Sequence, residues 1–166
     1  MLDTLAGELT GTFTAVPLVV SLTRLIAAVT LGALIGFERE RKEKPAGLRT
    51  HMLVSLAACL FVLTGLEIAR LEFGDAGEDA VRVDPLRLIE AVTAGVAFLA
   101  AGLIFTQKGE VRNVTTGASL WLAGAIGLAC GAGHVPLAAM SAVLVVCVLF
   151  LIGQMERRTG THRADD

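Results

Sequence analysis

The 166-residue chain has little charge and no tyrosine. Only 18% of its residues are Asp, Glu, Lys or Arg, whereas 54% are apolar, and the mean hydropathy is +0.70. In a soluble domain, roughly a quarter of the residues are charged and about 45–50% are apolar. The low charge content therefore excludes an ordinary soluble domain and indicates a chain that is mostly embedded in a lipid bilayer.

Other missing features narrow the function classes further. The formal net charge is −2, so no basic excess could neutralise a nucleic acid, and we predict no nucleic-acid partner. Cys59, Cys130 and Cys147 lie in apolar runs without a CxxC pair or a His/Cys ligand spacing. We therefore predict packing cysteines, no resident metal and no cofactor, with only a weak Mg²⁺ association left open. Because no nucleophile and base share one membrane depth, we also predict that the chain is not an enzyme.

Five apolar stretches are each long enough to cross a bilayer at about 20 residues per crossing. They comprise residues 16–37, 52–69, 86–106, 114–133 and 135–153. We predict an all-α fold, a compact bundle of five transmembrane helices in a single membrane domain over residues 1–166. A glycine-rich turn before Pro136 indicates that the last two helices form an antiparallel hairpin.

The basic residues predict the orientation of the bundle. Of the 14 Lys and Arg residues, ten fall in residues 38–51, 107–113 and 154–166, all on one side of the predicted helices. The positive-inside rule assigns that side to the cytoplasm. We predict a multi-pass protein of the bacterial inner membrane with an external N-terminus, a cytoplasmic C-terminus and no signal peptide.

The predicted external connection, residues 70–85, is acidic. Its carboxylates belong to Glu72, Asp75, Glu78, Asp79 and Asp84. Such oxygens could attract a divalent cation. Because their spacing does not match an EF-hand, we favour a solvated polar loop that keeps negative charge on the outer face.

Polar residues within the apolar runs are candidate functional residues, because their desolvation is costly. Arg24, Glu67 and Glu90 all fall in the predicted outer half of the membrane. We predict a buried pair between Arg24 and one of these carboxylates, which would either hold the helices in register or mark a polar cavity or ion site. Thr93, Thr115 and Thr116 would extend that cavity if the protein transports an ion.

Small residues recur at helical spacing and would let helix backbones approach closely. They form three stripes: Gly32 with Gly36, Ala97 with Ala101, and Ala123 with Gly127 and Gly131. We predict that the glycines of these stripes and three further residues pack between helices. The full set is Gly32, Gly36, Gly95, Gly102, Trp121, Gly127 and Gly131. The stripes would serve either packing within the chain or a homodimer interface.

The most distinctive segment, residues 35–51, connects the first two helices. It combines mixed charges with a Pro-Ala-Gly bend and an Arg-Thr-His sequence at the membrane edge. A positive-inside anchor alone would need only Lys and Arg, so we predict a surface that docks a partner or ligand. The candidate residues are Glu38, Arg39, Glu40, Lys44, Pro45, Gly47, Arg49, Thr50 and His51.

These motifs resemble the MgtC/SapB family of bacterial inner-membrane proteins. The similar segments are residues 32–40, the KPAGLRTH sequence at 44–51, residues 95–104, and the TTGASLW sequence at 115–121. The chain departs from the usual pattern at several positions. Asn113 stands where glycine is usual, Ala91 where glutamine is common, Ala97 and Ala100 where glycine is usual, and Gly117 where alanine is usual.

The resemblance implies a role in adaptation to low magnesium and, in pathogens, in virulence. It implies a regulator that binds other membrane proteins, present here as the membrane module without the soluble C-terminal domain of some members. The alternative is a small transporter or channel for a divalent cation such as Mg²⁺.

Overall fold

The computed structural model describes residues 1, 7, 11, 13–70, 84–107 and 109–159, with side chains described to residue 151 and at Gln154. From Leu18 onward, the described residues form five helices and one short hairpin. The helices are α1 (Leu18–Arg41), α2 (Leu48–Ile68), α3 (Pro85–Leu103), α4 (Val114–Gly131) and α5 (Val135–Thr159), and the strands are β1 (Phe105–Gln107) and β2 (Glu110–Arg112). Most of the acidic connection, including four of its five carboxylates, lies outside the described residues.

The structure confirms the prediction of a helical bundle with membrane-spanning character. Within the described residues, α1 to α4 are long and apolar enough to cross a membrane, and the apolar part of α5 is Val135–Leu151. α1 continues to Arg41, past the predicted end at residue 37, and α2 begins at Leu48 instead of residue 52. Apolar runs identify the part of a helix that suits lipid, whereas the helical hydrogen bonds here continue into the polar residues.

The all-α prediction missed the hairpin between α3 and α4. Phe105 pairs with Arg112 and Gln107 with Glu110 in antiparallel register, and Gly109 in the turn has φ +85°. Asn113 follows with φ +63°, and its side-chain amide donates to the carbonyl of Leu103 at 3.1 Å. Glycine and asparagine tolerate this left-handed region best. The departure from the usual glycine therefore keeps the backbone conformation available.

Helix α4 lies at the centre of the bundle and packs against the other four helices. Its small residues permit this arrangement. A Cβ added at Gly131 would lie 2.7 Å from the carbonyl oxygen of Cys59, and one added at Gly127 would overlap the carbonyl of Ser55. Gly32 of α1 is equally tight, because an added Cβ would lie 2.7 Å from the carbonyl oxygen of His51. These contacts lie within one chain.

Other predicted packing residues lie outside these contacts. A Cβ at Gly95 or Gly102 would meet no described atom within 4 Å, and Trp121 is 45% exposed. Cys59 and Cys130 are buried, whereas Cys147 is exposed. Packing within the chain is therefore wrong for Gly95, Gly102, Trp121 and Cys147, whereas the predicted homodimer interface stays a prediction for them. Apolar runs show which residues suit lipid or a core, but the rotation of each helix decides between the two.

Candidate functional site

The two connections with the distinctive motifs meet at one end of the bundle, which we call the loop end. Residues 42–47 join α1 to α2 there, and residues 104–113 join α3 to α4. The direction of α4 is opposite to that of α1, so Arg39 near the end of α1 lies beside Thr116 near the start of α4. The loop end therefore brings together motifs that are more than 70 residues apart in the sequence.

Four buried polar side chains form a network at the loop end, which we call the polar cluster. Its members are Arg39, His51, Thr116 and Ser119, each at most 2% exposed. Arg39 Nη2 donates to Thr116 Oγ1 at 3.0 Å and to Thr115 Oγ1 at 3.3 Å. A buried cation is stable only when it is hydrogen-bonded or paired. The threonine pair of α4 therefore fixes the end of α1.

His51 connects α2 to α4 within the polar cluster. Its Nδ1 lies 2.8 Å from the carbonyl oxygen of Gly47, and its Nε2 lies 3.1 Å from Ser119 Oγ. The carbonyl can only accept, so Nδ1 carries the hydrogen, and the neutral ring then accepts at Nε2. The Ser119 hydroxyl can supply that hydrogen bond, or it can donate to the carbonyl of Thr116 at 2.9 Å. The single hydroxyl hydrogen of Ser119 therefore has two possible acceptors, His51 Nε2 and the carbonyl oxygen of Thr116.

Carboxylates organise the connection between α1 and α2. Glu40 Oε2 accepts from the backbone N–H of Leu48 at 2.6 Å, which satisfies a free donor in the first turn of α2. A Cβ at Gly47 would overlap that carboxylate, so any larger residue at this position would displace the Glu40 side chain. Glu38 Oε1 lies 2.5 Å from Lys42 Nζ, and Lys42 also donates to the carbonyl of Leu149 in α5 at 2.9 Å. The loop end is therefore held from α1, α2 and α5.

The structure divides the nine predicted motif residues into three groups by their exposure. Arg39 and His51 are buried, and Glu38, Lys44 and Gly47 are half-buried. The exposed members are Glu40, Pro45, Arg49 and Thr50. Arg41 and Glu43, which were not among the predicted residues, are also exposed beside them. We call Arg41, Glu43, Pro45, Arg49 and Thr50 the exposed loop face.

The predicted pair between Arg24 and a carboxylate is wrong. Arg24 Nη1 donates instead to the carbonyl of Gly131 at 2.7 Å, in the last turn of α4. Carbonyls there lack helical partners and carry the negative end of the helix dipole. Glu67 accepts from the backbone N–H groups of Thr14, Ala15 and Val16, and Glu90 is exposed.

The predicted intramembrane polar residues do not line one path through the described part of the bundle. Thr116 and Gly131, the contacts of Arg39 and Arg24, are fifteen positions apart on α4, or about 22 Å at 1.5 Å per residue. Thr93 donates to the carbonyl of Ile89 in its own helix. Nor do the described residues contain a group of three or more His, Cys, Asp or Glu that could hold a metal ion.

Sequence reasoning missed two buried serines. Ser119 bonds His51, and Ser55 Oγ donates to the carbonyl of Ala28 at 2.8 Å, between α2 and α1. The spacing of three between Thr116 and Ser119 places both on one face of α4. That spacing, in a segment already identified by its motif, was the available signal for Ser119.

Removing the Ser119 hydroxyl should destabilise the bundle. In Ser119→Ala, Nε2 of His51 loses its hydrogen-bond partner within a buried site, at a cost of about 1–3 kcal/mol. Ser141→Ala is the matched control, because within the described part of the chain the Ser141 hydroxyl bonds the Leu137 carbonyl of its own helix and no other helix. Thermal unfolding in detergent should show a lower midpoint for Ser119→Ala and almost none of that shift for Ser141→Ala. Equal midpoints would contradict the assigned bond.

Comparison with known proteins identifies the family. The model of the MgtC family matches residues 25–158. Protein MgtC of Brucella abortus (strain 2308) is 38% identical over 136 residues, which cover 82% of this chain and 52% of the relative. Protein MgtC of Salmonella typhimurium (strain 14028s) is 34% identical over 134 residues, covering 81% and 53%.

A third relative carries a different name. The "Putative magnesium transporter YhiD" of Escherichia coli (strain K12) is 35% identical over 135 residues, covering 81% of this chain and 60% of the relative. The chain thus spans about half the length of the curated relatives it matches. No solved structure is significantly similar to it. With its apolar helices and the match over residues 25–158, the chain is a membrane protein that belongs to the MgtC family.

Proposed function

We propose that the chain is a regulator in the bacterial inner membrane, acting in adaptation to low magnesium by binding other membrane proteins. The observation that carries the proposal is the division of the motif between α1 and α2. Its buried residues, Arg39 and His51, bond to α4, whereas Arg49, Thr50 and Pro45 remain on the exposed loop face. The buried part gives the face a fixed shape, and the exposed part offers charges and a rigid bend to a partner.

The proposed orientation has five crossings, with the loop end in the cytoplasm. The apolar part of α5, Val135–Leu151, has 17 residues and so a length of about 26 Å at 1.5 Å per residue. This is close to the roughly 30 Å of a bilayer core. Only three residues separate α4 from α5, with Gly133 at φ +86°, so the chain reverses there. If α4 crosses the membrane, α5 returns to the side of the loop end.

We also propose that the chain is not an enzyme. Ser119 and His51 form a serine-histidine pair at 3.1 Å, which resembles a nucleophile with its base. Both side chains are at most 2% exposed. Burial of this kind supports a structural use of the pair, because a substrate would have to enter the packed contact between α2 and α4.

Magnesium transport is the alternative function, and it is favoured by the name of the YhiD relative. In this alternative, the predicted polar residues would line a path for the ion. Arg24 and Glu90, together with the three threonines, instead make separate contacts in the described structure or are exposed. The geometry therefore supports regulation better.

A partner should be captured from the exposed loop face. A photoreactive amino acid in place of Thr50 should crosslink the same membrane protein in repeated experiments on magnesium-starved cells. Arg49→Ala should reduce the yield at least about fivefold, the effect of losing roughly 1 kcal/mol at an interface. Arg87→Ala is the control, because Arg87 is an exposed arginine at the other end of the bundle. An Arg49→Ala yield equal to that of Arg87→Ala would contradict the proposal.

Transport is tested separately with purified protein in liposomes. Our proposal predicts a Mg²⁺ flux equal to that of protein-free liposomes, measured with an encapsulated indicator. A flux above that level, abolished by Glu90→Gln, would establish the transporter and remove regulation as the primary function. Glu110→Gln is the control, because Glu110 is exposed in the hairpin.

A further inference from the structure

A cavity of about 370 Å³ lies between α1 and α5 at the loop end. One part of its wall is apolar and the other part is polar. The apolar residues are Leu34, Phe37, Val146 and Phe150, and the polar residues are Glu38, Arg41, Lys42 and Gln154. A cavity with this division suits an amphipathic molecule better than a purely polar or purely apolar one.

The charges at the cavity are only partly neutralised within the protein. The Glu38 carboxylate lies against the Lys42 ammonium, and Lys42 donates a second hydrogen bond to Leu149. An ammonium has three N–H donors. Among the described residues two of those of Lys42 have an acceptor, so one is left for a ligand. The Arg41 guanidinium lies 5.8 Å from the centre of the Phe37 ring, and its edge donors have no acceptor among the described residues. The cavity therefore presents cationic donors beside one already paired carboxylate.

We propose that this cavity binds an anionic phospholipid, with the phosphate on Arg41 and Lys42 and an acyl chain along α1 and α5. The apolar wall continues into lipid-facing surface, where Phe37 is 56% exposed and Phe150 is 57% exposed. Basic pockets between transmembrane helices at the cytoplasmic surface are suited to lipid headgroups. A free phosphate would contact the cations but would leave the apolar wall uncovered.

Arg41 should be decisive for this binding. The cavity lies at the C-terminal end of α1, where the helix dipole disfavours an anion. Lys42 is shared with Glu38, so the attraction depends mainly on the Arg41 guanidinium. The inference rests on one part of the proposed function, the position of the loop end at a membrane surface. It requires no partner protein, so its failure and the failure of partner binding are separable.

Native mass spectrometry of the full chain in neutral detergent tests the proposal. Phosphatidylglycerol should be retained in preference to phosphatidylcholine of the same acyl chains. Arg41→Gln should lower its affinity about tenfold, the effect expected from one charge-assisted hydrogen-bonded contact. Arg87→Gln removes an exposed arginine outside the cavity and should leave retention unchanged. Equal retention of both lipids, or equal losses in both variants, would overturn the site.

A second pair of variants tests the apolar wall. Phe150 lines the cavity and Leu151 does not, and both residues are 57% exposed. Phe150→Ala should therefore lower phosphatidylglycerol retention, whereas Leu151→Ala should not. Equal retention in these two variants would show a surface charge contact and overturn the cavity. Inorganic phosphate at millimolar concentration should not displace the lipid, and displacement would assign the site to free phosphate. Unchanged unfolding midpoints establish that each variant is folded.

Discussion

Arg39→Met should lower the free energy of unfolding by about 3 kcal/mol, because it removes two hydrogen bonds from a buried charged donor, and each bond of that kind contributes about 1.5–3 kcal/mol. Arg39 is 2% exposed and bonds two threonines of α4 while it lies 4.0 Å from Glu38. Methionine fills a similar volume but supplies neither the hydrogen bonds nor the charge. Denaturant or thermal unfolding in detergent should show a clearly lower midpoint.

Arg41→Met is the matched control for this prediction. Arg41 is two positions further along α1 and exposed, so its replacement should change stability by no more than about 0.5 kcal/mol. If the two arginine variants unfold together, the polar cluster does not hold α1 to α4.

The helices could be predicted from the sequence because lipid imposes a simple requirement on composition. Each apolar run of the described chain became a helix, and the motif between residues 35 and 51 was correctly placed at a helix end. The helix limits were less accurate, since α1 and α2 continue into charged residues. The hydropathy of the sequence does not predict those helical turns, because they depend on contacts such as that of Glu40 with Leu48.

The partners of the polar residues could not be predicted in the same way. Opposite charges at similar depth suggested that Arg24 pairs with a carboxylate, but its partner is a backbone carbonyl of α4. Every residue has a carbonyl, so the sequence does not mark the one left free at a helix end. The pairing of His51 with Ser119 depends on the rotation of α2 and α4 about their axes. Small residues fix that rotation through close contacts, and these are visible only in the packed structure.

Gly127→Ala should be the most destabilising of the single-methyl substitutions, because the added Cβ would overlap the backbone of Ser55. A flexible side chain could move away, whereas here α2 and α4 must separate. Overpacking usually costs about 1–3 kcal/mol, and we expect the upper part of that range. The separation should also loosen the His51–Ser119 contact, which joins the same two helices at the loop end.

Gly95→Ala is the control for this substitution, since a Cβ there meets no described atom within 4 Å. It adds the same methyl group to a helix of the same bundle. Alanine is about 1 kcal/mol more favourable than glycine inside a helix. Gly95→Ala should therefore unfold at or above the parent midpoint, while Gly127→Ala unfolds well below it. Equal midpoints would show that α2 and α4 can separate without cost. The loop end would then lack the rigid support that the exposed loop face requires to present a fixed surface to a partner.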